Sequence, residues 1–428
     1  MSAQPYKRQV DVCIGKGGER VGRLTYVKDG AREYSSYVYD ESWLTAPERF
    51  EISSDLPLIE GHIARRAPTK DDSCFHFAIA DTEPDAWGCR VIARAHAKER
   101  QKNPQLAQLT AFDYLSAVDD FSRMGALRLR EGSSRYLRTV EQGKRSTPPL
   151  LELRRMYEAS RAVEAGNETA EDLQYLQGKG TSLGGMRPKC TLLEEDGALA
   201  LGKFPSINDA RNVTRAEVLA LHLARRAGID AARSRIVQIA DTPVAVIYRF
   251  DRTSDHGRIH YMSAASMLQA ARNEDHSYTE VADIIRAKGV APAQDTRQLW
   301  RRLVFNLLIT NVDDHLHNLG FLYAGQGKWR LAPAFDLNPF PDKERESKTW
   351  LSERQGPIVS LQMLMEHADY FGLQRPEALT ILAEVHAAVS DWHRLAVSPE
   401  VGLHVRELGE FEPAFEHAQM KLAGDWLD

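Results

Sequence analysis

The stretch Asn311-Val312-Asp313-Asp314-His315-Leu316-His317-Asn318, followed by Phe335-Asp336-Leu337-Asn338-Pro339, decides how the chain reads. An Asp at 313, an Asn five residues later and an Asp eighteen further on put two carboxylates and an amide oxygen in one segment. Phosphoryl transfer needs one group to orient the acceptor hydroxyl and oxygen ligands for Mg²⁺. Asp313 fits the first role; Asn318 and Asp336 fit the second. A lone Asp or Asn here would read as a helix cap in a polar turn, but the combined spacing favours chemistry. Leu299, Trp300, Leu303, Val304, Leu307 and Leu308 recur at helical spacing and predict a helix that delivers the chain into Asp313. Gly320-Phe321-Leu322-Tyr323, a turn and Trp329-Arg330-Leu331 predict a hairpin that sets Asp336 opposite Asn318. Asp314 is a second candidate for the hydroxyl-orienting carboxylate; the five-residue step to Asn318 favours Asp313. His315 and His317 form an HxH pair that admits a zinc-hydrolase reading, although no separate third ligand cluster stands out.

Upstream lies Gly178-Lys179-Gly180-Thr181-Ser182-Leu183-Gly184-Gly185-Met186-Arg187-Pro188-Lys189. Glycines let backbone N–H groups approach phosphate oxygens, and Lys adds a point charge. The order is neither a Walker A loop nor a full GxGxxG, so alone it is a flexible basic loop. It gains weight from the hairpin that follows, Cys190–Leu193 and Leu199–Phe204 around Asp196-Gly197, because that hairpin carries Lys203. Kinase-like folds place a strand Lys against ATP phosphates. Otherwise Lys203 is a solvated edge charge, and Glu217 in the next helix is a surface residue rather than its brace. Val244 to Phe250 reads as a core strand entering a hinge at Tyr248-Arg249-Phe250-Asp251-Arg252, whose backbone could meet an adenine edge.

Bulk properties set the frame. A chain of 428 residues has room for two or three domains, and its formal charge of −5 gives no global nucleic-acid signal. Cys13, Cys74, Cys89 and Cys190 are scattered without a CxxC pair, which reads as reduced thiols. No apolar signal segment or bilayer-length apolar run is present, so a cytoplasmic protein with no membrane contact is expected. The first part reads β-rich, with Val10, Val12 and Ile14 alternating before a Gly15–Gly18 turn. Val91 to Arg100, Leu106 to Val118 and Leu150 to Ala165 read as helices, with a linker at Gly143 to Pro149. Lys98, Arg100 and Lys102 make a solvated basic face. Thr214 is the expected N-cap of a helix ending at Gly228. Ile381, Leu382, Val385, Val389 and Trp392 mark a late helix.

Four blocks together resemble the HipA family of serine/threonine kinases, the toxins of bacterial type II toxin–antitoxin pairs. They are Asp85-Ala86-Trp87-Gly88, Thr181 to Lys189, Arg249-Phe250-Asp251-Arg252, and Asn311 to Asn318 with Ala332 to Pro339. The resemblance implies an α+β, HipA-like kinase fold: a β-rich N-terminal part (1–145), a mixed ATP-binding middle (146–255) and an all-helical C-terminal catalytic domain (256–428). It implies Asp313 as the catalytic Asp and Asn318 and Asp336 as Mg²⁺ ligands. Gly184, Gly185, Met186, Arg187, Pro188, Lys189 and Lys203 would hold ATP phosphates. Tyr248, Arg249 and Phe250 would form the hinge, with Tyr248 and Phe250 giving backbone contacts to adenine. His315, His317 and Phe335 would lie near the nucleotide.

Ser182 falls on the family's autophosphorylated serine; a phosphate there adds roughly −1.5 to −2 charge to a loop meant for phosphates, a physical route to self-inactivation. Val312 stands where ordinary protein kinases have Arg, and Leu337-Asn338 where they have Phe-Gly. Both departures agree with HipA-like proteins. The resemblance further implies a protein substrate such as an aminoacyl-tRNA synthetase, growth arrest, and a HipB-like helix-turn-helix antitoxin through which any DNA is met. Rival readings are a small-molecule kinase on a related fold and a nucleotide-binding co-repressor without kinase activity.

Overall fold

The computed structural model describes residues 5–132, 135–138, 152–177, 185–271 and 274–427. The chain divides into two compact units. The first takes residues 1–207, 251–262 and the short tip 325–327; the second takes 208–250, 263–324 and 328–428. The expected 145/146 boundary falls outside the described residues, and 255/256 falls within the segment that returns to the first unit.

The first unit is built on a six-stranded antiparallel sheet. Its strands lie in the order Ile63–Arg66, Arg32–Tyr39, Glu19–Asp29, Tyr6–Ile14, Leu127–Glu131 and Arg135–Tyr136. The expected turn joins the first two strands in sequence, with Gly15 and Gly18 both at positive φ. Alternation buries Val10, Val12, Leu24, Tyr26 and Tyr37, and Tyr26 stacks on Phe112 at 5.6 Å. Beside the sheet, helix Ala86–Lys102 packs Trp87, Val91 and Ala95 against Ala159 and Val163 of helix Leu153–Ala165 and Leu173 and Leu176 of helix Ala170–Leu176. The helix expected over 106–118 is shorter, Ala111–Ala117, because Thr110 and Asp113 form a capping box that starts it late. The basic face is partly engaged: Lys98 donates to the Glu168 carbonyl and Arg94 pairs with Glu168.

The Lys189–Leu193 and Leu199–Lys203 strands form the expected hairpin, with Gly197 at φ +83° in its turn. The segment 251–262 is fastened by Asp251, which is fully buried and accepts from the Gly125 N–H at 2.7 Å. Arg252 adds bonds to the carbonyls of Phe121, Arg123 and Gly125.

The second unit is mainly helical. Helix Val213–Arg226 is capped by Asn212, whose side chain accepts from the Arg215 N–H at 3.3 Å. Thr214, the expected cap, lies inside the first turn and is buried. An amide one residue before the helix reaches the open N–H groups, whereas a hydroxyl already inside it does not. Strands Ser234–Ile239 and Thr242–Tyr248 pair antiparallel. Helices Tyr278–Lys288, Pro292–Leu308 and Arg375–Ser390 carry the core, with Leu299, Trp300, Leu303, Val304, Leu382 and Val385 buried. The predicted hairpin appears as Gly320–Gly325 and Lys328–Leu331. Among the described residues no helix is long and apolar enough to cross a membrane.

Candidate functional site

Helix Pro292–Leu308 ends abruptly, and the way it ends aims the site. The Thr310 N–H donates to Leu307 O and the Asn311 N–H to Asn306 O, a Schellman pattern. The left-handed residue in it is Thr310, φ +53°, where glycine is usual. A β-branched residue there is strained, and such strain persists where neighbours over-determine it. Thr310 Oγ1 donates to the Ala414 carbonyl at 2.9 Å and accepts from Arg345 Nε at 3.1 Å. The reversal turns Asn311 to Asn318 out of the helix axis.

Asp313 and Asp314 then meet opposite surroundings. Asp314 is buried; Tyr278 donates its hydroxyl to Oδ2 at 2.7 Å, and the Lys348 backbone N–H donates to Oδ1 at 2.7 Å. Burial lifts this carboxyl to about 6, against the opposing pull of those hydrogen bonds. The Asp313 side chain keeps 36% of its exposure and forms an ion pair with the Lys348 ammonium. Asn318 Nδ2 donates to the Asp313 carbonyl at 2.9 Å, which commits the amide nitrogen and directs Oδ1 elsewhere.

The segment 332–340 is fixed beside it. Ala334 exchanges backbone bonds with Asp230 and Ala232, and Arg302 donates to the carbonyls of Asp230 and Ala332. The Asn338 N–H reaches Asn311 Oδ1 at 3.3 Å, and the Phe340 N–H reaches Thr310 O at 3.1 Å. Asp336 itself has φ +54°, a conformation Asp tolerates better than most side chains, and Asn338 Nδ2 donates to its Oδ1 at 3.2 Å.

These constraints bring Asn318, Asp336, His315 and Phe335 onto one small cavity. Phe335 stacks obliquely on Phe250 at 5.5 Å, so two residues expected near the nucleotide are neighbours. Tyr248 is wedged between Arg233, over its ring at 4.8 Å, and Arg235, which donates to its hydroxyl at 3.1 Å. The Tyr248 N–H donates to Arg233 O, so an adenine contact from Tyr248 is limited to its carbonyl. Arg249 is half-buried at the strand's end. His315 Nδ1 is buried without a hydrogen-bond partner among the described residues, and burial holds this imidazole below its ordinary 6.5. His317 is exposed, its ring 6.0 Å from that of His315. No group of three His, Cys, Asp or Glu side chains placed to hold a metal exists among the described residues, so the HxH pair lacks the third ligand a zinc site needs.

The remaining expected residues lie in the first unit. Gly185, at φ +108°, and Met186 are exposed, Arg187 is half-buried and Pro188 is buried. Lys189 is buried and pairs with Asp85 at 3.1 Å. Asp85 is also the N-cap of helix Ala86–Lys102, accepting from the Gly88 N–H at 2.7 Å, and the Trp87 N–H donates to Gly185 O. A Cβ on Gly185 would fall 2.8 Å from Lys189 Nζ, so the backbone passes directly over the ammonium. Lys203, directly opposite Lys189 in the hairpin, is buried rather than a solvated edge charge. Glu217, expected at the surface, is buried on its helix. Ser182 and Gly184 lie outside the described residues. Sequence reasoning missed Tyr278 and Lys348; no local pattern marks them, because each reaches Asp314 from a segment far along the chain.

Residues 181–392 match the model of the HipA-like C-terminal domain. That segment belongs to the HipA family. A chain of the Shewanella oneidensis MR-1 toxin–antitoxin complex of HipA, HipB and operator DNA superposes with TM-score 0.66, covering 97% of both chains at 15% identity, which shows a HipA-like fold. Among curated relatives, the Sinorhizobium fredii protein named "Putative kinase Y4mE" is 25% identical over 351 residues, 75% of each chain. A Haemophilus influenzae protein named "Putative kinase" is 24% identical over 193 residues, 38% of this chain and 55% of that one. The HipA-domain match begins in the glycine-rich segment and contains Asp313, Asn318 and Asp336.

Proposed function

We propose that this chain is an ATP- and Mg²⁺-dependent serine/threonine protein kinase. The observation that carries the reading is the cavity shared by Asn318 and Asp336, joined to Asp313 through the Asn318 amide. Asn318 Oδ1 and the Asp336 carboxylate are hard oxygen donors of the kind Mg²⁺ prefers, completed by water and phosphate. When bound there, Mg²⁺ supplies charge neutralisation for the β- and γ-phosphates.

The chain's own groups do the rest. Asp313, half-exposed and paired with the Lys348 ammonium, accepts the proton of the acceptor hydroxyl. Asp314 does not compete, since Tyr278 and Lys348 occupy its oxygens and fix the loop. Phe335 and Phe250 offer an apolar face to the nucleotide base, and the unpartnered His315 Nδ1 offers it a polar contact. Gly184 to Lys189 and Lys203 hold phosphates in this reading, with Lys189 acting on the Gly185 backbone as much as on the ligand. Ser182 is the proposed autophosphorylation site. We extend the proposal to a protein substrate in translation, to growth arrest, to a cytoplasmic location and to a HipB-like antitoxin that carries any DNA contact; the Shewanella complex supports the last.

Calorimetric titration with ATP and Mg²⁺ separates the roles. Asp336→Asn is expected to weaken Mg²⁺-dependent ATP binding at least tenfold, while Asp313→Asn binds within about twofold of wild type. Equal binding by wild type and Asp336→Asn would remove Asp336 from the site.

A further inference from the structure

Lys348 lies twelve residues past Asp336 and touches both aspartates of the Asp313-Asp314 pair. Its backbone N–H donates to Asp314 Oδ1 at 2.7 Å, and its ammonium pairs with Asp313 Oδ1. The backbone on either side is held by buried contacts. Thr349 Oγ1 donates to the Asp314 carbonyl at 2.8 Å, and Thr349 is itself buried. The Ile358 N–H donates to Ser347 Oγ at 2.7 Å, and the Ser347 N–H returns a bond to Ile358 O at 3.2 Å. Tyr278 closes the other side of Asp314.

This arrangement differs from an ordinary surface ion pair. Two long exposed side chains contribute little when nothing but their own attraction aligns them. Here the Lys348 side chain is 54% exposed, yet its backbone is locked to the residue next to Asp313. The ammonium is therefore delivered to Asp313 by the fold. His315 Nε2, 4.0 Å from the same oxygen, is outside hydrogen-bond range, so Lys348 is the group that engages Oδ1. With Oδ1 engaged, Oδ2 is the oxygen presented to an incoming group.

We propose that Lys348 is a positioning residue for phosphoryl transfer, holding the Asp313 carboxylate so that Oδ2 receives the acceptor's proton. The inference rests on the kinase reading above. In the step it serves, the bond between acceptor oxygen and γ-phosphorus forms. The bond from γ-phosphorus to the β,γ-bridging oxygen breaks, and its electron pair leaves with ADP. The hydroxyl proton passes to Asp313. A carboxylate free to rotate presents the wrong edge for part of the time, and misplacement by about 1 Å costs on the order of 10²-fold in rate.

The test uses the full chain with Mg²⁺ and [γ-³²P]ATP, counting label on protein plus released phosphate. The variants are Lys348→Ala, Lys348→Arg, Asp313→Asn and the Asp313→Asn/Lys348→Ala double substitution. Lys348→Ala is expected to lose about 10- to 100-fold in kcat with KM for ATP within twofold and an unchanged melting temperature. Lys348→Arg recovers most of kcat, and the double variant is no slower than Asp313→Asn alone. Wild-type kcat in Lys348→Ala beside an inactive Asp313→Asn overturns the positioning role and leaves the kinase reading standing. A loss of kcat that tracks a lowered melting temperature and is not rescued by Arg also overturns it. Absence of turnover in the wild type overturns both.

Discussion

Asp313 and Asp314 are adjacent in sequence, but the fold assigns them opposite environments. The pattern in the sequence narrowed the pair by spacing to Asn318; it could not show that Asp314 is enclosed, because the enclosing groups come from Tyr278 and the 347–349 loop. The difference has a measurable sign. The folded Asp314 carboxyl sits at about 6, against an ordinary 3.8. Between these values the folded protein keeps a proton that the unfolded chain releases, so this group's stabilisation is present at low pH and lost as pH rises through about 6. Urea unfolding at pH 5 and pH 7 is expected to show that wild type gains about 1 kcal/mol relative to Asp314→Asn on going to the lower pH. Parallel stabilities for the two proteins would contradict the raised carboxyl.

At the scale of elements, the sequence was most readable where one segment decides its own structure. The Gly15–Gly18 turn, the hairpin around Asp196-Gly197 and the helix entering Asp313 all follow from local periodicity and turn chemistry. It was least readable where distant segments meet. Asp85-Ala86-Trp87-Gly88 looked only like a block of resemblance, yet Asp85 both caps its helix and neutralises buried Lys189 at the exit of the glycine-rich segment. Removing one partner of a buried pair leaves an uncompensated charge and costs about 3–5 kcal/mol. Asp85→Ala is therefore expected to lower stability by that order in thermal unfolding. Asp85→Asn, which keeps a capping side chain, separates the terms: it loses most of that amount if the ion pair dominates and about 1 kcal/mol or less if the cap dominates. Wild-type stability in Asp85→Ala would show that neither contact matters.

At the scale of the whole molecule, the HipA-like fold and the domain match at 181–392 agree with the order of the blocks along the chain. The acidic net charge gives the isolated chain no general attraction to DNA, so the proposed DNA contact runs through a helix-turn-helix partner. Mixing the purified chain with such an antitoxin and its operator is expected to shift the DNA only when the antitoxin is present; a shift by this chain alone at moderate salt would reverse that assignment. The central claim is that Asp313 receives a hydroxyl proton during phosphoryl transfer from ATP. Its most direct measurement is label transfer from [γ-³²P]ATP by wild type and Asp313→Asn under identical Mg²⁺ concentrations, with folding checked by circular dichroism. The account predicts labelling by wild type, abolished by EDTA, and a loss of at least 10²-fold in the folded variant. Equal labelling by a folded Asp313→Asn would contradict it.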